Sequence, residues 1–182
     1  WYARSRSLPG QTGITAQNRL TQKISCGLIS RIVYCNQSYD NWGKITCMHI
    51  SDITYSGGLR TNATHLRSGQ SIITDAPPDN NGKGEAFSPT DLLSTSLGSC
   101  MLTIMGIVAE RNELKIEGTR VEIGKIMGND PRRVTGIKVE MFMPDGNFSD
   151  KERKLLENAA LTCPVAKSLH PDLMQDVTFH WK

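Results

Sequence analysis

Two cysteines and one arginine carry the reactive chemistry available to this chain. Cys100 stands in the apolar run "SPTDLLSTSLGSCMLTIMGIVAERN" (88–112), and Cys163 directly precedes a proline in "TCPVAKSL" (162–169). A thiol reacts as its thiolate, so each needs something that favours negative charge. Cys163 has this locally: it precedes Pro164 at an expected helix start, where free N–H groups and the helix dipole lower a thiol pKa. Cys100 lies about three turns into its own expected helix, beyond the reach of the dipole, and needs a cation from elsewhere. Arg60, just after Gly57-Gly58, is the best available one. Its planar fork cannot lose its proton and can hold a thiolate and a peroxide oxygen together. Two thiols on separate buried-looking helices fit a peroxidatic and a resolving cysteine: one is oxidised to a sulfenic acid, the other condenses with it to a disulfide. Each residue also has a plainer reading. Buried cysteines usually pack, a small residue is tolerated at a cap, and a strand arginine is usually solvated.

Other chemistries find little support. The five cysteines include no C-x-x-C pair and the four histidines are scattered, so no metal site is expected. "NNGKGEA" lacks the spacing of a phosphate loop, and no G-x-S-x-G elbow is present. No bound cofactor is implied. An odd cysteine count without tight spacing argues against a secreted disulfide scaffold and for a reducing, cytoplasmic setting.

The elements that must position these residues follow from pattern. "MHISDITY" (48–55), "LRTNATHLR" (59–67) and "QSIITD" (70–75), separated by "SGG" and "SG", predict three strands in an antiparallel meander. Residues 76–87 form a long loop of the kind that is often functional. Ser88, Pro89 and Asp91 predict a capped helix start. Leu93, Leu97, Cys100, Ile104 and Ile107 recur at helical spacing, with Leu92, Met101, Met105 and Val108 on the other side. A helix apolar nearly all round is expected to be buried. Its first half is small (Ser94, Thr95, Ser96, Gly98, Ser99), which lets another backbone come close. "KIEGTRVEIGKI" (115–126) and "VTGIKVEMFM" (134–143) alternate as a strand hairpin. Ser149 and Glu152 open another capped helix, 162–169 forms a short one, and "DVTFHW" (176–181) closes as a strand. The order β-β-β-α-β-β-α-α-β gives an α+β class.

The 182 residues suggest one domain of ordinary size, with 38% hydrophobic and only 6% aromatic residues. The net charge of +3 is too small to argue for nucleic acid. No stretch reads as the ~18–20 apolar residues needed to cross a bilayer. Residues 1–47 differ in character: they hold Arg4, Arg6, Arg19, Lys23, Arg31 and Lys44 against the single acid Asp40, with no sustained period. They are expected to be a disordered or non-native extension, or else a targeting segment, leaving 48–182 as the domain.

Taken together, "GGLRTNATH", "ITDAP" with "GKGEAFSPTDLL", "LGSCMLTIMGI" and "CPVAKSL" resemble the OsmC/Ohr family of thiol peroxidases, over about residues 48–182. The resemblance implies an intertwined homodimer with active sites at the subunit interface and a long central helix bearing the peroxidatic cysteine. It maps that cysteine to Cys100, the resolving cysteine to Cys163 and the activating arginine to Arg60. It also implies an organic hydroperoxide substrate, hydrogen peroxide as a weaker one, and a dithiol reductant such as a lipoylated protein. One departure matters. Well-studied members carry a glutamate ten residues before the peroxidatic cysteine, and here that residue is Thr90. Asp91 and Glu85 are the carboxylates left to orient Arg60. The departure keeps a non-catalytic stress or small-ligand-binding protein on the same fold as an alternative, with acyl or sulfur transfer as a third. On the question of which thiol attacks, the resemblance opposes the dipole argument, because an arginine can do for Cys100 what the dipole cannot.

Overall fold

The computed structural model describes residues 48–182. The expectations for 1–47, including Cys26, Cys35 and Cys47, lie outside the described residues. Strands β1 (Ser51–Gly57), β2 (Arg60–His65) and β3 (Ser71–Asp75) form the expected antiparallel meander. The tight β1–β2 connection requires left-handed backbone: Gly57 and Gly58 supply it without strain, whereas Leu59 adopts φ 61°.

After the loop, helix α1 (Pro89–Arg111) starts as its cap residues predict. Ser88 Oγ accepts from the Asp91 N–H at 3.1 Å, and the Asp91 carboxylate accepts from the Ser88 N–H at 2.7 Å. Helix α2 (Asp150–Leu161) repeats the device with Ser149 and Glu152. Between them, β4 (Arg120–Asn129) and β5 (Arg132–Phe142) pair antiparallel, and β6 (Met174–His180) lies parallel to β5. The first strand of this sheet begins at Arg120 and not at Lys115. A turn closed by the Thr119 N–H on the Ile116 carbonyl, with Gly118 at φ 88°, delays it. A short helix α3 (Pro164–Ser168) precedes β6.

The core gathers on the second half of the chain. Leu97, Met101 and Met105 of α1, Ile137, Val139 and Met141 of β5 and Leu156 of α2 are fully buried together. Each such side chain contributes about 1.5–3 kcal/mol of transfer free energy. Gly98 explains part of the small-residue run: a Cβ there would stand 2.7 Å from Ile123 Cδ1 of β4. The close neighbour in this chain is therefore the sheet.

Two expectations about α1 need correction. It is not buried all round. Only the stripe Ser94, Leu97, Gly98, Met101, Met105 and Ala109 is enclosed, while Leu93 and Ile107 are exposed. Helix α2 and the second sheet cover one side, and no element among the described residues covers the other. Second, α1 is long and apolar enough to cross a membrane by length and composition, contrary to the reading from residue runs. Its serines and threonines interrupt the apolar run without making the helix polar on average. Its buried stripe belongs to the protein's own core.

Candidate active site

Cys100 lies midway along α1, half-buried at the edge of the core. Cys163 is the N-cap of α3 and is fully buried. Because α3 packs against α1, the two thiols become neighbours, and Cys100 acts directly on the ionisation of Cys163. Burial pushes the Cys163 thiol up. The neighbouring Cys100 pushes it in the same direction. The N–H groups of Ala166 and Val165 pull the other way without prevailing. Cys163 Sγ does accept from the Ala166 N–H at 3.4 Å, as a helix start provides. The expectation that its position at a helix start lowers the Cys163 thiol is not met, because desolvation outweighs the cap of a five-residue helix.

Arg60 sits at the start of β2, directly across the ladder from Asp75 on β3. Its Nε donates to Asp75 Oδ1 and its Nη2 to Asp75 Oδ2, both at 2.7 Å. Nη2 also donates to Glu85 Oε2 at 2.6 Å. The hydrogen bonds that Arg60 donates to Asp75 and then to Glu85 raise its pKa further above the ordinary value, so it stays charged at all relevant pH. The Arg60 guanidinium holds the Asp75 carboxyl below its usual range, against the opposing effect of burial.

The sequence left Glu85 and Asp91 as candidates for orienting Arg60. The structure brings Glu85 to Arg60 and takes Asp91 elsewhere. Asp91 pairs with Lys125 of β4 at 2.6 Å. Burial would raise the Asp91 carboxyl, but the Lys125 ammonium and the Ser88 N–H and hydroxyl outweigh it and hold it low. The same lysine donates to Thr90 Oγ1 at 2.9 Å and Ser88 Oγ at 3.2 Å. Alternation puts Lys125 on the half-buried face of β4 with Val121, Ile123 and Met127. There it ties the sheet to the polar first turn of α1. Thr90, where well-studied relatives keep a glutamate, thus serves this lysine.

Sequence reasoning missed Asp75 and Lys125. A hairpin centred on "LRSG" (66–69) sets Arg60 opposite Asp75, so the strand register held that signal. Lys125 was visible as a charge at an inward position of an alternating strand. Among the described residues, no hydrogen bond or ion pair joins Arg60 to either thiol. Arg60 and the cysteines occupy separate parts of the chain: β1–β3 make no extensive contact with α1–α3 or β4–β6. No cluster of potential metal ligands occurs among the described residues.

Comparison with known proteins places this arrangement. A 2.15 Å crystal structure of a protein from Psychrobacter arcticus 273-4, named for osmotic stress induction and detoxification response, is 55% identical. The match covers 75% of this chain and 98% of that one, with a TM-score of 0.71. An organic hydroperoxide resistance protein OsmC from Legionella pneumophila is 15% identical over 75% of this chain and 99% of its own, with a TM-score of 0.57. An OsmC-like protein from Mycoplasma pneumoniae is 16% identical over 75% and 99%, with a TM-score of 0.62. At these lower identities the likeness is one of fold. No curated protein sequence matches the chain. The family profile described as OsmC-like protein matches residues 82–174, which include α1 with Cys100 and α3 with its Cys163 cap. By this match and the 55% identity, the chain belongs to the OsmC-like family.

Proposed function

We propose that the protein is a cysteine-dependent peroxidase acting on organic hydroperoxides, and more weakly on hydrogen peroxide. The observation that carries this reading is the pairing of a half-buried Cys100 with a fully buried Cys163 beside it. In this scheme the Cys100 thiolate attacks the distal peroxide oxygen. The O–O bond breaks, the alcohol leaves with a proton, and Cys100 becomes a sulfenic acid. The Cys163 sulfur then attacks the Cys100 sulfur, water departs, and a disulfide forms. An external dithiol, such as a lipoylated protein, returns both thiols by exchange. The stress and peroxide-resistance names of the Psychrobacter and Legionella proteins agree with this chemistry.

Arg60 enters through assembly. The first sheet leaves Ile53 67% and Tyr55 64% exposed, and α1 has one uncovered apolar side. In the proposed homodimer each of these surfaces covers the other in the second copy, and Arg60 of one subunit faces Cys100 of its partner. That arrangement supplies the cation that the helix dipole cannot.

Purified protein with a dithiol reductant is expected to consume t-butyl or cumene hydroperoxide, and Cys100→Ser to lose that activity. Equal slow consumption by both proteins would refute the reading. One equivalent of peroxide should yield a Cys100–Cys163 disulfide by peptide mapping. Recovery of sulfinic Cys100 alone would remove Cys163 from the resolving role. A second reading, ligand binding without turnover, draws on Arg60 being engaged by two carboxylates. It requires that Cys100 alkylate with the pH dependence of an ordinary thiol.

A further inference from the structure

Both carboxylates on Arg60 look alike as ion pairs, yet their settings differ. Asp75 is 1% exposed, lies opposite Arg60 in the strand register, and engages it through both oxygens. Its Oδ2 also accepts the Glu85 N–H at 3.0 Å. Glu85 is 60% exposed, sits in the loop after Gly84, and reaches Arg60 through one oxygen.

The donors of the guanidinium separate the two further. Asp75 takes the side edge, formed by Nε–H and one Nη2–H. Glu85 takes the remaining Nη2–H, which is half of the outward fork shared by Nη1 and Nη2. A thiolate and a peroxide oxygen would need that same fork. With both carboxylates in place the group also carries excess negative charge, and a nearby negative charge disfavours a thiolate.

We propose that Asp75 is the positioning residue that aims Arg60, and that Glu85 is a displaceable competitor occupying the fork until thiolate and peroxide take it. The proposal rests on the reading of Arg60 as the partner of Cys100. Release of Glu85 is easy because an exposed ion pair is worth little in water. A destination is at hand as well. Glu85 borders a cavity of about 620 Å³ whose wall includes Lys125, Asp91, Thr95 and Phe87. A released carboxylate there meets solvent.

The test measures alkylation of Cys100 by iodoacetamide at neutral pH, followed by peptide mass in a Cys163→Ser background. Glu85→Gln should react about 3- to 10-fold faster than the parent, the size of a thiol pKa change of up to one unit. Asp75→Asn should react more slowly, because Arg60 is no longer aimed. Adding Glu85→Gln to an Arg60→Met chain should give no acceleration. An unchanged or slower Glu85→Gln protein overturns the proposal, as does an equal acceleration without Arg60. Glu85 is exposed and decides the matter even if the buried Asp75 variant does not fold. Because alkylation needs no peroxide, an intact ranking in a protein without peroxide turnover would refute the peroxidase reading and leave this one standing.

Discussion

The described residues build two three-stranded sheets that are packed differently. The second sheet lies against α1 through β4 and β5, and β5 alternates buried Ile137, Val139 and Met141 with outward Lys138 and Glu140. The first sheet has comparable apolar content on one face (Ile53, Tyr55, Ala63, Ile72), yet among the described residues nothing extensive packs on it. Only Thr74 and Asp75 of its residues are buried. A small isolated sheet is marginal in water, and an apolar face of this kind marks an interaction surface. The second sheet is therefore a core element of the single chain, and the first has no such cover among the described residues. Arg60 sits on the first, and both thiols sit with the second. Chemistry and assembly are thus coupled in the proposed scheme.

The largest effect that tests this contrast is in the core. Leu156→Ala should cost about 2–5 kcal/mol of stability in denaturant titration, as for other large-to-small changes at fully buried sites. A cost below about 1 kcal/mol would mean that α2 is not integral to the core. The next effect separates folding from assembly. Ile53→Asp should weaken self-association by about tenfold or more, read by sedimentation. Lys138→Asp on the outward face of β5 should leave association unchanged. Equal effects of the two substitutions would erase the distinction between the sheets.

The smallest effect is acid sensitivity. The Asp75 and Asp91 carboxyls lie below their usual range in the folded chain. The unfolded state thus binds more protons as pH falls through the ordinary carboxylate range near 4. Their stabilisation is present in full above that range and declines as pH drops toward the folded values. Unfolding followed from pH 6 to pH 3 should show this decline, with Asp75→Asn removing part of it. A flat profile would mean that the Arg60 and Lys125 pairs contribute nothing to the fold.

Local rules made much of the fold legible. Ser88, Pro89 and Asp91 marked the start of α1 to the residue, Ser149 and Glu152 that of α2, and alternation located the strands to within a few residues. Cap and period signals are written in neighbouring residues, so no tertiary knowledge was required. The parallel pairing of β6 with β5 was not legible, because it joins segments separated by two helices. The candidate site was legible in its residue types: Cys100, Cys163 and Arg60 came from the chain alone, and Glu85 came with the resemblance. Its wiring was not. Asp91 looked as suitable for Arg60 as Glu85, and only the placement of Lys125 beside the first turn of α1 decided otherwise.

By itself the sequence determined the element order and the helix starts, since each depends on spacing within a few residues. The tertiary structure decided the rest. It pushed the Cys163 thiol up, since desolvation depends on everything packed around the sulfur and outweighs the local cap. It gave Arg60 to Asp75 and Glu85, and it left one side of α1 and one face of the first sheet uncovered. Charge pairing and burial depend on distances between segments far apart in the chain, which no local pattern encodes.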